Sequence, residues 1–190
     1  RKNLLEYDAV NNEQREIIYG ERRKVLEGAD MRETIIKMAY DVVEGCVNSC
    51  IGDDQDPEHW DLRELNSLLL PIIPLAPVVL TEDQKKHMRK NELIQQLKAE
   101  MVKHYEAKEA EFPEKEQLRE VERVLLLRVI DRKWMDHIDD MDQLRQGIGL
   151  QAYGQRDPLV EYKMSGFDMF DEMTAAIQED TIKLLFHVRV

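Results

Sequence analysis

Between Trp134 and Asp142 the sequence sets one imidazole, His137, among the carboxylates of Asp136, Asp139, Asp140 and Asp142. Groups three and four residues apart share a helix face, so such a run can converge on a metal ion or divide acid and base work between its members. A metal site of that kind needs a second imidazole or a thiolate, and none joins these residues. The run therefore reads as a solvated helix face. Cys46 and Cys50 lie one helical turn apart, with His59 beyond a loop, which is too few ligands for zinc and poor geometry for a disulfide. Reduced thiols are the expectation. Gly147, Gly149 and Gly154 follow a helix rather than a strand and lack the spacing of a phosphate-binding turn, and no G-x-x-x-x-G-K-[ST] occurs. No bound nucleotide, metal or catalytic site is expected from this chain. Tyr153, in the same Gly-bearing turn, is on its own an ordinary loop aromatic.

The elements that carry these residues are helical. In 190 residues, 43% apolar, there are only eight Gly and six Pro, and the straight-chain residues Glu, Lys, Arg, Gln, Leu and Met dominate. A formal charge of -12 excludes a nucleic-acid duplex as the main partner, because phosphate contacts need clustered cations. The longest near-apolar stretch, Leu68 to Leu80, contains three prolines and falls short of the roughly 20 residues that span a bilayer. The chain opens on Arg1 without Met and ends within an apolar pattern, which is what a segment of a longer protein shows.

A first long helix is predicted from Lys2 to Glu27, with a thin stripe of Leu4, Leu5, Val10, Ile17, Ile18, Val25 and Leu26. Gly28 is placed as its C-terminal cap and Asp30, three residues before Glu33, as the next N-cap. A second helix is predicted from near Met31, with Ile35, Met38, Ala39, Val42, Cys46 and Val47 on one apolar face. Glu58 to Leu70 reads as a short helix, and Pro71, Pro74 and Pro77 force an extended segment after it. Thr81 with Gln84 forms a capping box for a helix to Glu111. The strongest pattern is Leu127, Ile130, Trp134, Ile138, Met141, Leu144 and Ile148 on a helix about 45 Å long. After the Gly-bearing turn, Asp157-Pro158 starts another helix with the stripe Leu159, Tyr162, Phe170, Met173, Ile177, Leu184 and Val188. These last two helices are expected to pack antiparallel. A pair leaves its aromatic residues half in water, so a third helix is required, and residues 2 to 27 supply the candidate.

The segment Arg1-Lys2-Asn3-Leu4-Leu5-Glu6-Tyr7-Asp8, then Val10 and Gln14-Arg15, resembles the helical scaffold of the SecA family of preprotein translocase motors. A second group is the more specific match: Trp134, His137, Met141-Asp142, Leu144-Arg145, Gly147-Ile148, Tyr153, Gln155, Asp157-Pro158, Glu161-Tyr162-Lys163 and Met169-Phe170, in the order of the family's scaffold and two-helix finger. Trp60-Asp61-Leu62 is similar to its helical wing. Ala9 stands where the family often repeats Asp, and Gln151 where a basic residue is common.

The resemblance implies an all-α fold with a long scaffold helix, an inserted helical wing and an antiparallel two-helix finger. It places the first scaffold helix at 1–28, the wing at 29–113, and the finger with the end of the scaffold at 114–190. It implies a fingertip at Gln151, Tyr153 and Gln155 that meets preprotein or the SecY channel, and a role for Trp134 in contacting the motor domain and restraining ATP hydrolysis. The implied partners are a preprotein, the SecYEG channel, the SecA nucleotide-binding domains and, through the longer protein, an anionic membrane surface on the cytoplasmic side. ATP and Mg belong to those absent domains, so this region has no cofactor of its own. The rival expectation is a free-standing helical adaptor or coiled-coil regulator.

Overall fold

The computed structural model describes residues 2–150 and 157–190. Its elements are α1 (Lys2–Leu26), α2 (Met31–Cys50), a 3-10 turn (Pro57–His59), α3 (Leu62–Leu69), α4 (Glu82–His87), α5 (Lys90–Ala110), α6 (Lys115–Leu150) and α7 (Pro158–His187), with no strand among the described residues. The fold is all-α.

The punctuation follows from local chemistry. Gly28 takes a positive φ of 94°, a conformation without penalty only when Cβ is absent, and the Ala29 amide reaches back to the Lys24 carbonyl at 3.1 Å to close α1. Asp30 then caps α2 by accepting from the Glu33 amide, and Asp61 caps α3 by accepting from the Glu64 amide. This second cap shows why the helix predicted from Glu58 is split: Pro57–His59 forms its own tight turn before Asp61 restarts the chain. The helix predicted from Glu82 to Glu111 is also two helices. Thr81 and Gln84 make the expected capping box, but α4 ends at His87, and Glu92 accepts from the Arg89 amide to begin α5. In the proline segment, the Asn66 side chain pairs with Val78 in both senses, accepting from its amide at 2.8 Å and donating to its carbonyl at 3.2 Å. That pairing holds an extended chain that cannot make its own helix bonds. Gly147 and Gly149 do not end α6, which continues to Leu150.

The chain divides into two compact units, residues 1–29 with 126–177, and residues 30–125 with 178–190. In the second, α2 presents Ile35, Ala39, Val43 and Val47 and α5 presents Leu93, Leu97, Met101 and Tyr105, each row four residues apart and almost wholly excluded from solvent. α2 packs on both α3 and α5. Such i±4 rows are the ridges that interdigitate in ordinary globular helix packing. Leu65, Leu69, Ile73, Leu118, Ile182 and Leu185 complete this core. Phe186 packs on Tyr105 with ring centroids 5.1 Å apart, and Lys108 donates to the Val188 carbonyl at 2.7 Å.

This unit also buries an ionic group. Glu122 is fully excluded from water, accepts from the Tyr105 hydroxyl and lies 3.1 Å from Arg119 Nε; Arg119 pairs in turn with Glu109, which accepts from Arg32 Nε at 3.1 Å. Burial pushes the Glu122 carboxyl above the usual carboxylate range, while the Tyr105 bond and the Arg119 charge act against that rise. The Tyr105 phenol is likewise pushed up by burial and by Glu122.

Candidate functional site

The first unit is built from α1 and the parts of α6 and α7 that belong to it. The inward residues of α6 are Leu126, Ile130, Trp134, His137, Met141 and Ile148, with Leu144 half-buried among them. Ile138, expected in this row, is 42% exposed, and His137 takes the buried place one residue earlier. On α1 the inward positions are Tyr7, Asn11, Gln14, Ile18 and Val25, while Leu4, Leu5, Ile17 and Leu26 are exposed. On α7 they are Tyr162, Gly166, Met173 and Ile177. Intervals that alternate between three and four residues are the seam of a coiled-coil-like packing.

Two inward positions of α1 carry amides, and both are used. Asn11 Oδ1 accepts from the Tyr162 hydroxyl of α7 at 2.7 Å. Gln14, buried, donates from Nε2 to the Gly166 carbonyl of α7 at 3.1 Å, and its Oε1 lies 2.6 Å from His137 Nε2 of α6. A carbonyl oxygen only accepts, so the Gln14 nitrogen must face Gly166, and the His137 proton must reside on Nε2. Burial lowers the His137 pKa, with Asp140 opposing that shift, and the ring is held neutral. A Cβ at position 166 would meet Met141 Cε at 2.7 Å, the far end of a flexible side chain, while Gln14 Nε2 would lie 3.8 Å away. Tyr7 packs edge-on against Tyr162 at 4.9 Å, with Arg145 over the Tyr7 ring and 3.6 Å from Asp8.

Trp134 is 7% exposed, its ring 5.5 Å from that of His137 and 6.4 Å from that of Tyr19. Its indole N–H is buried and has no acceptor among the described residues. A buried donor left without a partner costs about 1–3 kcal/mol, so the position is maintained at a cost. Beside it lies a cleft of about 520 Å³ lined by Tyr19, Arg22, Arg23, Leu26, Asp131, Trp134 and Met135. Tyr19, Leu26 and Met135 are all about half exposed or more, and Arg22 grips Asp131 at 2.9 Å on the rim.

The aspartates near Trp134 do not converge with the histidine. Asp136, Asp139, Asp140 and Asp142 are exposed while His137 points to Gln14. Among the described residues no group of three or more His, Cys, Asp and Glu side chains is arranged to hold a metal ion. Cys46 and Cys50 are free thiols, and burial pushes the Cys46 thiol up to about 11, which leaves it protonated and unreactive at neutral pH. No helix among the described residues is long and apolar enough to cross a membrane. Gln151, Tyr153 and Gln155 lie outside the described residues. Of the expected site residues, Trp134 alone can be placed. Gln14 and Asn11 were missed because an amide at an inward position looks polar and therefore outward. The available signal was the alternation of three and four from Tyr7 through Asn11, Gln14 and Ile18.

An all-α protein of long helices arranged in two compact units is the class that this fold defines. Residues 1–189 match the family model of the SecA wing and scaffold domain. The chain is 73% identical over its whole length to the protein translocase subunit SecA of Lachnoclostridium phytofermentans, of which it covers 22%. It is 47% identical over its whole length to the SecA subunit of Syntrophomonas wolfei, covering 23%, and 44% identical to that of Acetivibrio thermocellus, covering 21%. The chain thus spans about a fifth of the length of these relatives. It belongs to the SecA wing and scaffold family.

Proposed function

We propose that this chain is the non-catalytic mechanical part of a SecA-type protein-export motor, with the scaffold's first helix at 1–28, the wing at 29–113 and the two-helix finger with the rest of the scaffold at 114–190. Nucleotide-binding domains outside this stretch hydrolyse ATP with Mg, and the finger transmits their motion to a preprotein at the SecYEG channel. The assembly works on the cytoplasmic side, in peripheral contact with an anionic membrane surface. The observation that carries this reading is the match of the whole chain, end to end, to the wing and scaffold domain of translocase subunits. The fingertip role falls to Gln151, Tyr153 and Gln155, where a large ring with few rotatable bonds is a low-entropy contact for side chains of any sequence.

Trp134 is the residue through which the motor domain is restrained. Its support is the buried indole N–H without an acceptor, beside a cleft edged by the apolar Tyr19, Leu26 and Met135. A partner that brings a carbonyl or carboxylate to that cleft completes the hydrogen bond and covers the apolar rim.

The test is made in the full-length protein that contains this sequence. Trp134→Phe keeps most of the packing and deletes the donor, and basal ATP hydrolysis should rise; an unchanged basal rate with an intact fold would reduce Trp134 to a core residue. Tyr153→Ala should leave ATP hydrolysis in place and abolish export, and normal export removes the fingertip role. Added ATP should leave the melting temperature of the isolated chain where it was. A saturable rise would place a nucleotide site within it.

A further inference from the structure

The inward face of α1 carries two polar teeth three residues apart, and each is matched to a different partner. Asn11 serves the Tyr162 hydroxyl, while Gln14 serves both arms of the hairpin at once, His137 on α6 and the Gly166 carbonyl on α7. One turn to either side of Gln14 on α1 stand Val10, half-buried, and Ile18, buried, which have no side-chain donor or acceptor. Sliding α1 by one turn would set Val10 or Ile18 against the His137 Nε2–H and leave that donor buried and unpaired. Sliding it by three residues would bring Asn11 to His137 but remove it from Tyr162. A single buried amide is known to select one register among several otherwise similar apolar alignments of helices.

We propose that Gln14 is a positioning residue that fixes the axial register of α1 against both helices of the hairpin, so that the three advance as one body rather than slipping by a turn. The register claim stands on the hydrogen-bond geometry alone; its consequence for transport rests on the function proposed above. In that setting, displacement delivered to α1 reaches both arms of the finger together.

The test uses the 190-residue chain with Cys46 and Cys50 replaced by Ser and spin labels at Glu21 on α1 and Asp136 on α6, both exposed. The parent should give one narrow distance. Gln14→Leu should add a second population displaced by about 5 Å, one helical turn, and the nitrogen shifts of His137 should no longer report a proton confined to Nε2. If that variant does not fold, Gln14→Glu decides: its carboxylate still accepts from His137 but cannot donate to Gly166, so the imidazole pKa should rise while the distance broadens. A single unshifted distance in whichever variant folds overturns the proposal. In the full-length protein, Gln14→Leu should keep ATP hydrolysis and lose export. Normal export from Gln14→Leu alone, with the Trp134 and Tyr153 variants still altered, overturns the coupling role and leaves the proposed function standing. Normal behaviour of all three overturns the proposed function, and the label distances still judge the register.

Discussion

The rows of α2 and α5, spaced every four residues and wholly apolar down to Tyr105, contrast with the seam of α1 and α6, spaced alternately by three and four and interrupted by Asn11, Gln14 and His137. The first arrangement maximises burial. The second gives up apolar area for alignment, since an amide against an imidazole fits in one place only. The same division appears on the outside. Of the sixteen large apolar side chains left exposed among the described residues, eleven belong to the unit that holds Trp134, including Ile17, Tyr19, Met135, Met164 and Phe167. One unit consumes its apolar surface internally, and the other keeps some of it available.

The contrast can be broken by measurement, because each unit contains one of the two tryptophans, Trp60 and Trp134, and Trp60→Phe or Trp134→Phe leaves a fluorescence reporter for the other unit alone. The largest effect is expected from Leu97→Ala, which leaves a hole in a row with no room to collapse and should cost about 3–5 kcal/mol in urea denaturation. Ile18→Ala is expected nearer 2 kcal/mol, because its neighbours along α1 are partly solvated. Equal losses would erase the distinction between the two packings.

Tyr105→Phe comes next, at about 1–3 kcal/mol, because it deletes the donor that the buried Glu122 depends on and leaves the phenyl packing intact. A negligible loss would show that Arg119 alone satisfies the carboxylate.

The pH dependence of the Trp134 unit follows from His137, whose pKa is lowered in the folded state. Above its ordinary value near 6.5 the ring is neutral in both states and stability is complete; below it the unfolded chain takes up the proton first, so stability falls as pH drops from there through the folded value. Denaturation midpoints followed by Trp134 should decline between neutral pH and pH 5, and His137→Phe should flatten that decline. The smallest effect is Gly166→Ala, within about 1 kcal/mol, because the Met141 methyl it strikes can swing aside and alanine favours helix over glycine. A loss far above that would mean that the seam around Gly166 is more rigid than a methionine terminus allows.

The helices themselves were legible because caps and breakers are local. Gly28, Asp30, Thr81 with Gln84, and Asp157-Pro158 each acts where its residue type predicts. Which residue faces inward was less legible. An interval of three or four admits His137 as well as Ile138, and hydrophobicity favoured the isoleucine; the choice was made by Gln14, 123 residues away in sequence. The stripe on α1 is false in part as well, since Leu4, Leu5, Ile17 and Leu26 look like core and are exposed. The break after His87 escaped notice because Met88 and Arg89 are good helix formers, and the end is imposed by an extended backbone at both residues. At the site, the row marks Trp134 only as core and the family resemblance alone gives it a role, while its unpartnered N–H is visible only once the surroundings are known.

The chain passes between its two units at seams of different construction. At residues 29 and 30 it passes through an exposed turn between a glycine cap and an aspartate cap, whereas at residues 125 and 126 and at 177 and 178 it passes through the interiors of α6 and α7. For protein engineering these are opposite substrates. A reporter domain grafted between Gly28 and Asp30 interrupts no hydrogen-bond ladder, so the turn is a port for insertion. A graft within α6 or α7 would sever continuous helix, and directed libraries that seek a split or permuted form of this scaffold should open the chain at the first seam and leave the other two whole.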